Sequence, residues 1–452
     1  MSILRQSSII LFQNMLLVPV VLVTNVLVAK ALGPEGKGVL LLLSGMLGVL
    51  LSLFSLGLPT AAAYFARNAG LTLGQVVGAS LLVSASSTAI AAGLFMIFLQ
   101  DIVRIFLGSA RDVTVHPYWI WMTLACLFPA MISGIGDLVL IVKDEMKLYV
   151  VKRTGSALVH LLLTWILVVV LFLGVTGELW AELVSLVIDA GVLVYWLTRK
   201  RIWTTVRISL ESLRDMLRVG LQQYGVSLVA LVAKRFDTFL VGAVLSVREA
   251  GYFSIPYLLY SQAMVVPQSA MWPTVSKLTG SPHEDNARQL AATTRIQIAL
   301  MGMLAILIGA TAPWWIRALF GEAFLPSIGA VLLILPTLVV APITVSGNAL
   351  LTSRGQPGKV MLPSILATLS QVVVGLILVP RIGISGSSIA LTTNYIIVAA
   401  WMAAWIVRQG SLGYRSLLLP TTNDVERILG YVSKQIRRVW RQLAWRDPAD
   451  VD

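Results

Sequence analysis

Apolar runs of about 20 residues, each long enough to cross a hydrocarbon core of about 30 Å as a helix, alternate along the chain with short polar or Gly/Pro-bearing segments. About twelve can be drawn, at roughly residues 8–32, 38–66, 73–99, 117–142, 150–174, 177–198, 219–246, 250–276, 292–313, 325–352, 359–380 and 383–407. The pattern predicts an all-α polytopic membrane protein. Residues 199–218 form the longest internal polar segment, in which Ser209 can cap a short helix. Its apolar positions Leu210, Leu213, Met216 and Leu217 fall opposite Arg214 and Arg218. This reads as an interfacial linker helix between an N-terminal six-helix bundle, 1–198, and a second one, 219–407.

The two bundles look like copies. At a spacing of 213 residues Gly38 maps to Gly251, Arg104 to Arg317 and Gly108 to Gly321, and a slip of one pairs Leu58-Pro-Thr60 with Trp272-Pro-Thr274. Six-span copies keep one orientation, so these are parallel repeats about an axis normal to the membrane, an arrangement that transporters build around a central cavity.

Composition strengthens the membrane reading and removes others. Hydrophobic residues make up 57% and charged ones 12%, against about 25% charged in soluble domains. Bases outnumber acids, 34 to 21. Most of them sit in segments that share a side with the termini, which makes both termini cytoplasmic and leaves no expectation of a nucleic-acid partner. On this topology Lys37 belongs to an outer loop, and Lys152 and Arg153 to an inner segment. The first run is too long for a signal-peptide core and reads as a retained helix. The one cysteine, Cys126, lies in an apolar run and forms no disulfide framework. After residue 408 a basic tail follows. Val425, Ile428, Leu429, Val432, Ile436, Val439, Trp440 and Leu443 recur at helical spacing among arginines and lysines, the pattern of an amphipathic helix on anionic lipid, with a partner-docking helix as the rival.

Catalytic chemistry finds little support. Gly33-Pro-Glu-Gly-Lys-Gly38 falls between membrane helices with no strand before it, so it reads as a tight turn, and no GxxxxGK[ST] segment exists. His116, His160 and His283 are far apart, which supports no metal site and no cofactor. No nucleophile elbow or carboxylate pair stands out, so an enzyme is not expected. What remains is polar residues at bilayer depth, where a charge costs from about 3 to more than 10 kcal/mol and usually faces a partner or a watery cavity. Leu231-Val-Ala-Lys-Arg-Phe-Asp-Thr238 puts Lys234, Arg235 and Asp237 in the middle of span seven. Lys234 and Asp237, three apart, can pair on one helix face and leave Arg235 as the net charge, or all three can face a substrate. Asp137 in span four and Asp189 in span six either pair with a base or carry a coupling proton. Gln13, Asn14 and Asn25 in span one are substrate ligands or helix-to-helix hydrogen bonders.

Three strings carry a family resemblance: Ala31-Leu-Gly-Pro-Glu-Gly-Lys-Gly38, Gly57-Leu-Pro-Thr60, and Asp237-Thr-Phe-Leu-Val-Gly-Ala-Val-Leu-Ser-Val-Arg-Glu-Ala-Gly-Tyr252. They resemble the polysaccharide-transporter branch of the multidrug/oligosaccharidyl-lipid/polysaccharide exporter superfamily, which includes O-antigen and other lipid-linked oligosaccharide flippases. The resemblance covers residues 1 to about 407. It implies two six-helix bundles around a central cavity, a bacterial inner-membrane location, and a polyprenyl-diphosphate-linked sugar turned to the outer leaflet by alternating access, with polysaccharide-synthesis enzymes as partners. Some members run to fourteen spans, and this chain departs from them. Arg235 with Lys234 is then the candidate diphosphate contact, and Arg67, at the inner end of span two, receives the headgroup first. The alternatives are a cation-coupled drug exporter of the same superfamily, which would want acidic cavity residues, and a membrane glycosyltransferase.

Overall fold

The structure, a computed structural model, describes residues 3–67, 71–107, 116–202, 206, 209–278, 283–354, 356–410 and 413–418. Regular structure among these residues is helical throughout. The first half comprises α1 (Ile3–Phe54), α2 (Leu58–Arg67), α3 (Leu73–Leu107), α4 (Pro117–Ala125), α5 (Leu127–Val142), α6 (Met146–Thr164), a π-helical turn (Trp165–Val170) and α7 (Gly174–Arg199). The second half comprises α8 (Leu210–Val244), α9 (Val247–Ala263), α10 (Val265–Ser269), α11 (Met271–Leu278), α12 (His283–Leu319), α13 (Ile328–Ser353), α14 (Met361–Ile382), α15 (Ile384–Gly410) and α16 (Tyr414–Leu418). The basic tail beyond 418 lies outside the described residues.

Nine helical stretches among the described residues are long and apolar enough to span a membrane. The first of them, Gln13–Phe54, holds most of expected span one and the first part of span two, which breaks after Phe54 and ends in α2. Expected spans seven and eight are not among the nine. Span seven lies on α8, which carries Lys234, Arg235 and Asp237; span eight is broken into α9, α10 and α11 at Met264 and Ala270.

α1 is two helices folded back on each other. Asn25 and Lys37 stand 12 positions apart, about 18 Å along a continuous helix, yet Lys37 Nζ donates to Asn25 Oδ1 at 2.5 Å. The reversal is confined to Gly33, whose φ of 65° favours glycine. Pro34, next in the chain, opens the return helix with a fixed φ and no N–H to satisfy. The predicted tight turn is therefore present, but Lys37 is no loop residue: it is buried, 8% exposed, in the first turn of the return helix. Gly383, φ 64°, joins α14 to α15 in the same way.

The expected separate linker helix is corrected. Ser209 does cap, accepting from Ser212 N at 3.1 Å, but the helix continues unbroken to Val244, because Gly220 alone is too weak a breaker to end it. At 35 residues α8 is about 50 Å long, more than a bilayer core requires.

The return limb of α1 runs antiparallel to α8 and forms the seam between the halves. Small residues let the backbones close up, as in other membrane helix pairs: Gly242 faces Leu42, Gly45 faces Phe239, and Gly57 and Gly220 meet backbone to backbone. Tyr224 Oη donates to Leu53 O at 2.7 Å near one end. Near the other, a Cβ on Gly38 would strike the carbonyl oxygen of Val247, and a Cβ on Gly251 would strike that of Pro34. Pro34 and Val247 are related by the same 213-residue spacing as the two glycines. Each half thus touches its copy through the same two positions, the signature of a local twofold axis. One continuous apolar core, from Leu42 and Met46 to Phe253, Ile316 and Val331, spans the seam.

Candidate functional site

The charged cluster of α8 separates into three environments. Asp237 is 4% exposed and accepts at Oδ2 from Gln371 Nε2 of α14, at 2.5 Å. Gln371 also donates to Ala233 O at 3.0 Å. Lys234 forms no pair with Asp237; the predicted internal salt bridge is absent, because an amide from α14 takes the carboxylate instead. Lys234 is exposed and lines a cavity of about 500 Å³ enclosed by α8, α9, α13, α14 and α15. Arg235, one residue on and so about 100° further around the helix, turns to the seam. A Cβ on Gly48 of α1 would lie 2.5 Å from its Nη2, so the guanidinium fits only because position 48 has no side chain. Neither cation has an ion-pair partner among the described residues.

The cavity wall is rich in groups that both give and accept hydrogen bonds. Asn348, Asn394 and Ser364 line it, and their side chains have no hydrogen-bond partner among the described residues. Tyr260 and Tyr395, joined Oη to Oη at 2.5 Å, form part of the same wall with edge-to-face rings. Among the described residues no carboxylate lines it.

Asp137 and Asp189 pair with a base. Lys152, 1% exposed, donates from Nζ to Asp137 Oδ1 at 2.8 Å, to Asp189 Oδ2 at 2.5 Å and to Ser133 Oγ at 3.1 Å. Ser133 Oγ also donates to Asp189. Arg153 Nε reaches Asp137 Oδ2 at 3.5 Å. Lys152 is therefore not a base of an inner segment: α6 begins at Met146, which carries position 152 into the bundle. Two acids facing two bases make this network close to neutral.

Asn25 binds within its own hairpin, through Lys37 and through Val21 O. It also lines a second cavity of about 230 Å³ with Thr24, His160 and Glu178. His160 Nε2 lies 3.3 Å from Glu178 Oε1, and Thr164 Oγ1 donates to Glu178 Oε2 at 2.7 Å. Sequence reasoning missed this site, although His160 and Glu178 both stand inside apolar runs, the signal that singled out Lys234. Gln13 is fully buried with neither side-chain polar atom hydrogen-bonded among the described residues, and Asn14 is half-buried. Arg67 closes α2, and its side chain lies outside the described residues. The structure thus gathers Lys234, Arg235 and Asp237 on one turn of α8, and in the first half joins Asp137 and Asp189 in the Lys152 cluster while leaving Asn25 in another. No group of three or more His, Cys, Asp or Glu suited to a metal exists among the described residues.

The fold is shared with solved transporters. An inward-facing multidrug resistance MATE family transporter of the MOP superfamily superposes with a TM-score of 0.69 at 20% identity, covering 87% of this chain and 94% of that one. The outward-facing conformation of such a transporter gives 0.59 at 21% identity, covering 90% and 95%. A MOP superfamily transporter from Pyrococcus furiosus, described by a reversed polarity of its binding pocket, gives 0.61 at 19% identity, covering 90% and 95%. None of the curated proteins matches. The family model for polysaccharide biosynthesis proteins matches residues 27–329, which hold the Gly33 turn and the return limb of α1, the Lys152 network, the whole of α8 and the paired glycines of the seam. On that match, the chain is a multi-pass membrane protein that belongs to the polysaccharide biosynthesis protein family.

Proposed function

We propose that this protein is a flippase that carries a polyprenyl-diphosphate-linked oligosaccharide from the cytoplasmic to the outer leaflet of a bacterial inner membrane, with both termini cytoplasmic. One observation carries the reading: Gln371 takes the Asp237 carboxylate, and Lys234 and Arg235, midway along α8, have no ion-pair partner among the described residues. Such charges are costly enough to mark a ligand path. A diphosphate offers several acceptor oxygens, and a guanidinium binds two of them in parallel. Arg235 stands at the seam of the two halves, where rocking of one against the other changes the side from which it is reached. An exporter of hydrophobic cations is disfavoured by the same charges, since the larger cavity presents Lys234 and no acid. The reversed pocket polarity described for the Pyrococcus furiosus relative supports treating the sign of the lining as a guide to cargo.

The test is translocation of a fluorescent lipid-diphosphate oligosaccharide in reconstituted vesicles. Arg235→Ala loses a charge-assisted contact of about 1.5–3 kcal/mol and should slow flipping roughly 10- to 100-fold. Arg235→Lys keeps the charge, loses the fork, and should fall between. Parent-like flipping by both variants would remove Arg235 from the path, and incorporation of labelled sugar into product by the purified protein would replace the flippase reading with a glycosyltransferase.

A further inference from the structure

We infer that the cavity inside the second half is a sugar chamber selective for a glycan bearing a carboxylate, reached by Lys234 while Arg235 serves the lipid diphosphate at the seam. The inference rests on the flippase reading and adds the chemical class of its cargo. At about 500 Å³ the cavity falls in the range of small-molecule sites, about 300–1,000 Å³. Its chemistry discriminates among occupants. An acyl chain would leave the side chains of Asn348, Asn394 and Ser364 buried against hydrocarbon without partners, a heavy desolvation cost. Phosphate oxygens only accept, whereas amide and hydroxyl groups both give and accept. A polyol does the same at every hydroxyl, so the lining matches a carbohydrate group for group. The Tyr260 and Tyr395 rings supply the apolar surface that a sugar ring face needs. Lys234 is the exception in this wall, donor-only and charged, with Asp237 already held by Gln371. The anion that complements it within a sugar is a carboxylate. Because Lys234 and Arg235 point about 100° apart, one turn of α8 addresses two parts of one molecule.

The experiment measures binding of two soluble tetrasaccharides to the detergent-solubilised full chain. One alternates glucuronate with N-acetylglucosamine; the other is neutral chitotetraose. The acidic glycan should bind roughly tenfold tighter, the weight of about 1.4 kcal/mol. Lys234→Gln should erase that preference and keep neutral binding, Asn394→Ala should weaken both glycans, and Arg235→Ala should leave the preference intact. Inorganic pyrophosphate tests the other source of an anion: it should not displace the acidic glycan. As a readout independent of affinity, Asn394→Cys should react with a soluble maleimide and be protected by the acidic tetrasaccharide, against a background of one buried native thiol, Cys126. Equal binding of the two glycans, no binding of either, preference retained in Lys234→Gln, or displacement by pyrophosphate would each overturn the chamber. Those outcomes leave the flippase reading standing, because it is judged by flipping of the lipid-diphosphate oligosaccharide by the parent protein; if the parent does not flip it, the flippase reading falls whatever the glycans do.

Discussion

Substituting Lys152 by Met asks what the buried network of the first half is for. The ammonium is 1% exposed and joins Asp137 at 2.8 Å and Asp189 at 2.5 Å. Removing it leaves Asp137 with Arg153 at 3.5 Å, but Asp189, 2% exposed, keeps only the hydroxyl of Ser133. A buried ion stripped of its partner costs about 3–5 kcal/mol. Asp189→Asn is milder, about 1–3 kcal/mol, since Lys152 still holds Asp137 and an amide still bonds Ser133. The double variant Lys152→Met/Asp189→Asn has no orphaned charge and should be more stable than Lys152→Met alone, with a coupling above about 1 kcal/mol. Chaotrope unfolding in detergent micelles, followed by tryptophan fluorescence, measures all three. A Lys152→Met protein within 1 kcal/mol of the parent, on the order of the error of such extrapolations, would refute the argument. Flipping by Asp189→Asn then decides between the two roles left open for that residue. Loss of transport by the folded variant identifies a coupling carboxylate, and retained transport identifies a structural one.

Other substitutions probe the second half and the seam. Gly48→Leu should reproduce the transport defect of Arg235→Ala, since the new side chain occupies the place of the guanidinium; parent-like flipping would move Arg235 elsewhere. Gln371→Leu strands the Asp237 carboxylate and should cost about 1–3 kcal/mol in the same unfolding assay, whereas Asp237→Asn in that background should recover much of it; no recovery would break the proposed link. Gly38→Leu cannot keep its contact with Val247, so spin labels at Glu35→Cys and Arg248→Cys, both exposed, should move apart in distance distributions. An unchanged distribution would show that this contact tolerates bulk.

The helices were legible because bilayer thickness forces long apolar runs, and the hairpin at Gly33 because glycine followed by proline suits few other conformations. Gly38 and Gly251 were legible as equivalent positions of two repeats from spacing, and the structure adds that they meet. Partner choice was not legible. The acid three residues from Lys234 is taken by an amide 134 positions away, and no local pattern encodes that. Lys37 and Lys152 misled for a related reason. Each stands near the end of an apolar run, where a base ordinarily faces water, and only the tertiary fold shows the acceptor waiting inside: Asn25 for one, Asp137 and Asp189 for the other. Ser209 was read correctly as a cap, but the strength of the helix after it depended on the packing of α8 against α1, which the linker segment does not contain.

The meeting of Gly38 with Val247 and of Gly251 with Pro34 is self-complementary, as the face of a homodimer is. Each half therefore carries a complete copy of one side of the joint and needs no covalent tether to recognise the other. A chain cut between Arg199 and Leu210 should reassemble from two fragments. A first half produced alone should offer the same face to another first half, which makes it a candidate for unwanted pairing whenever synthesis stops early.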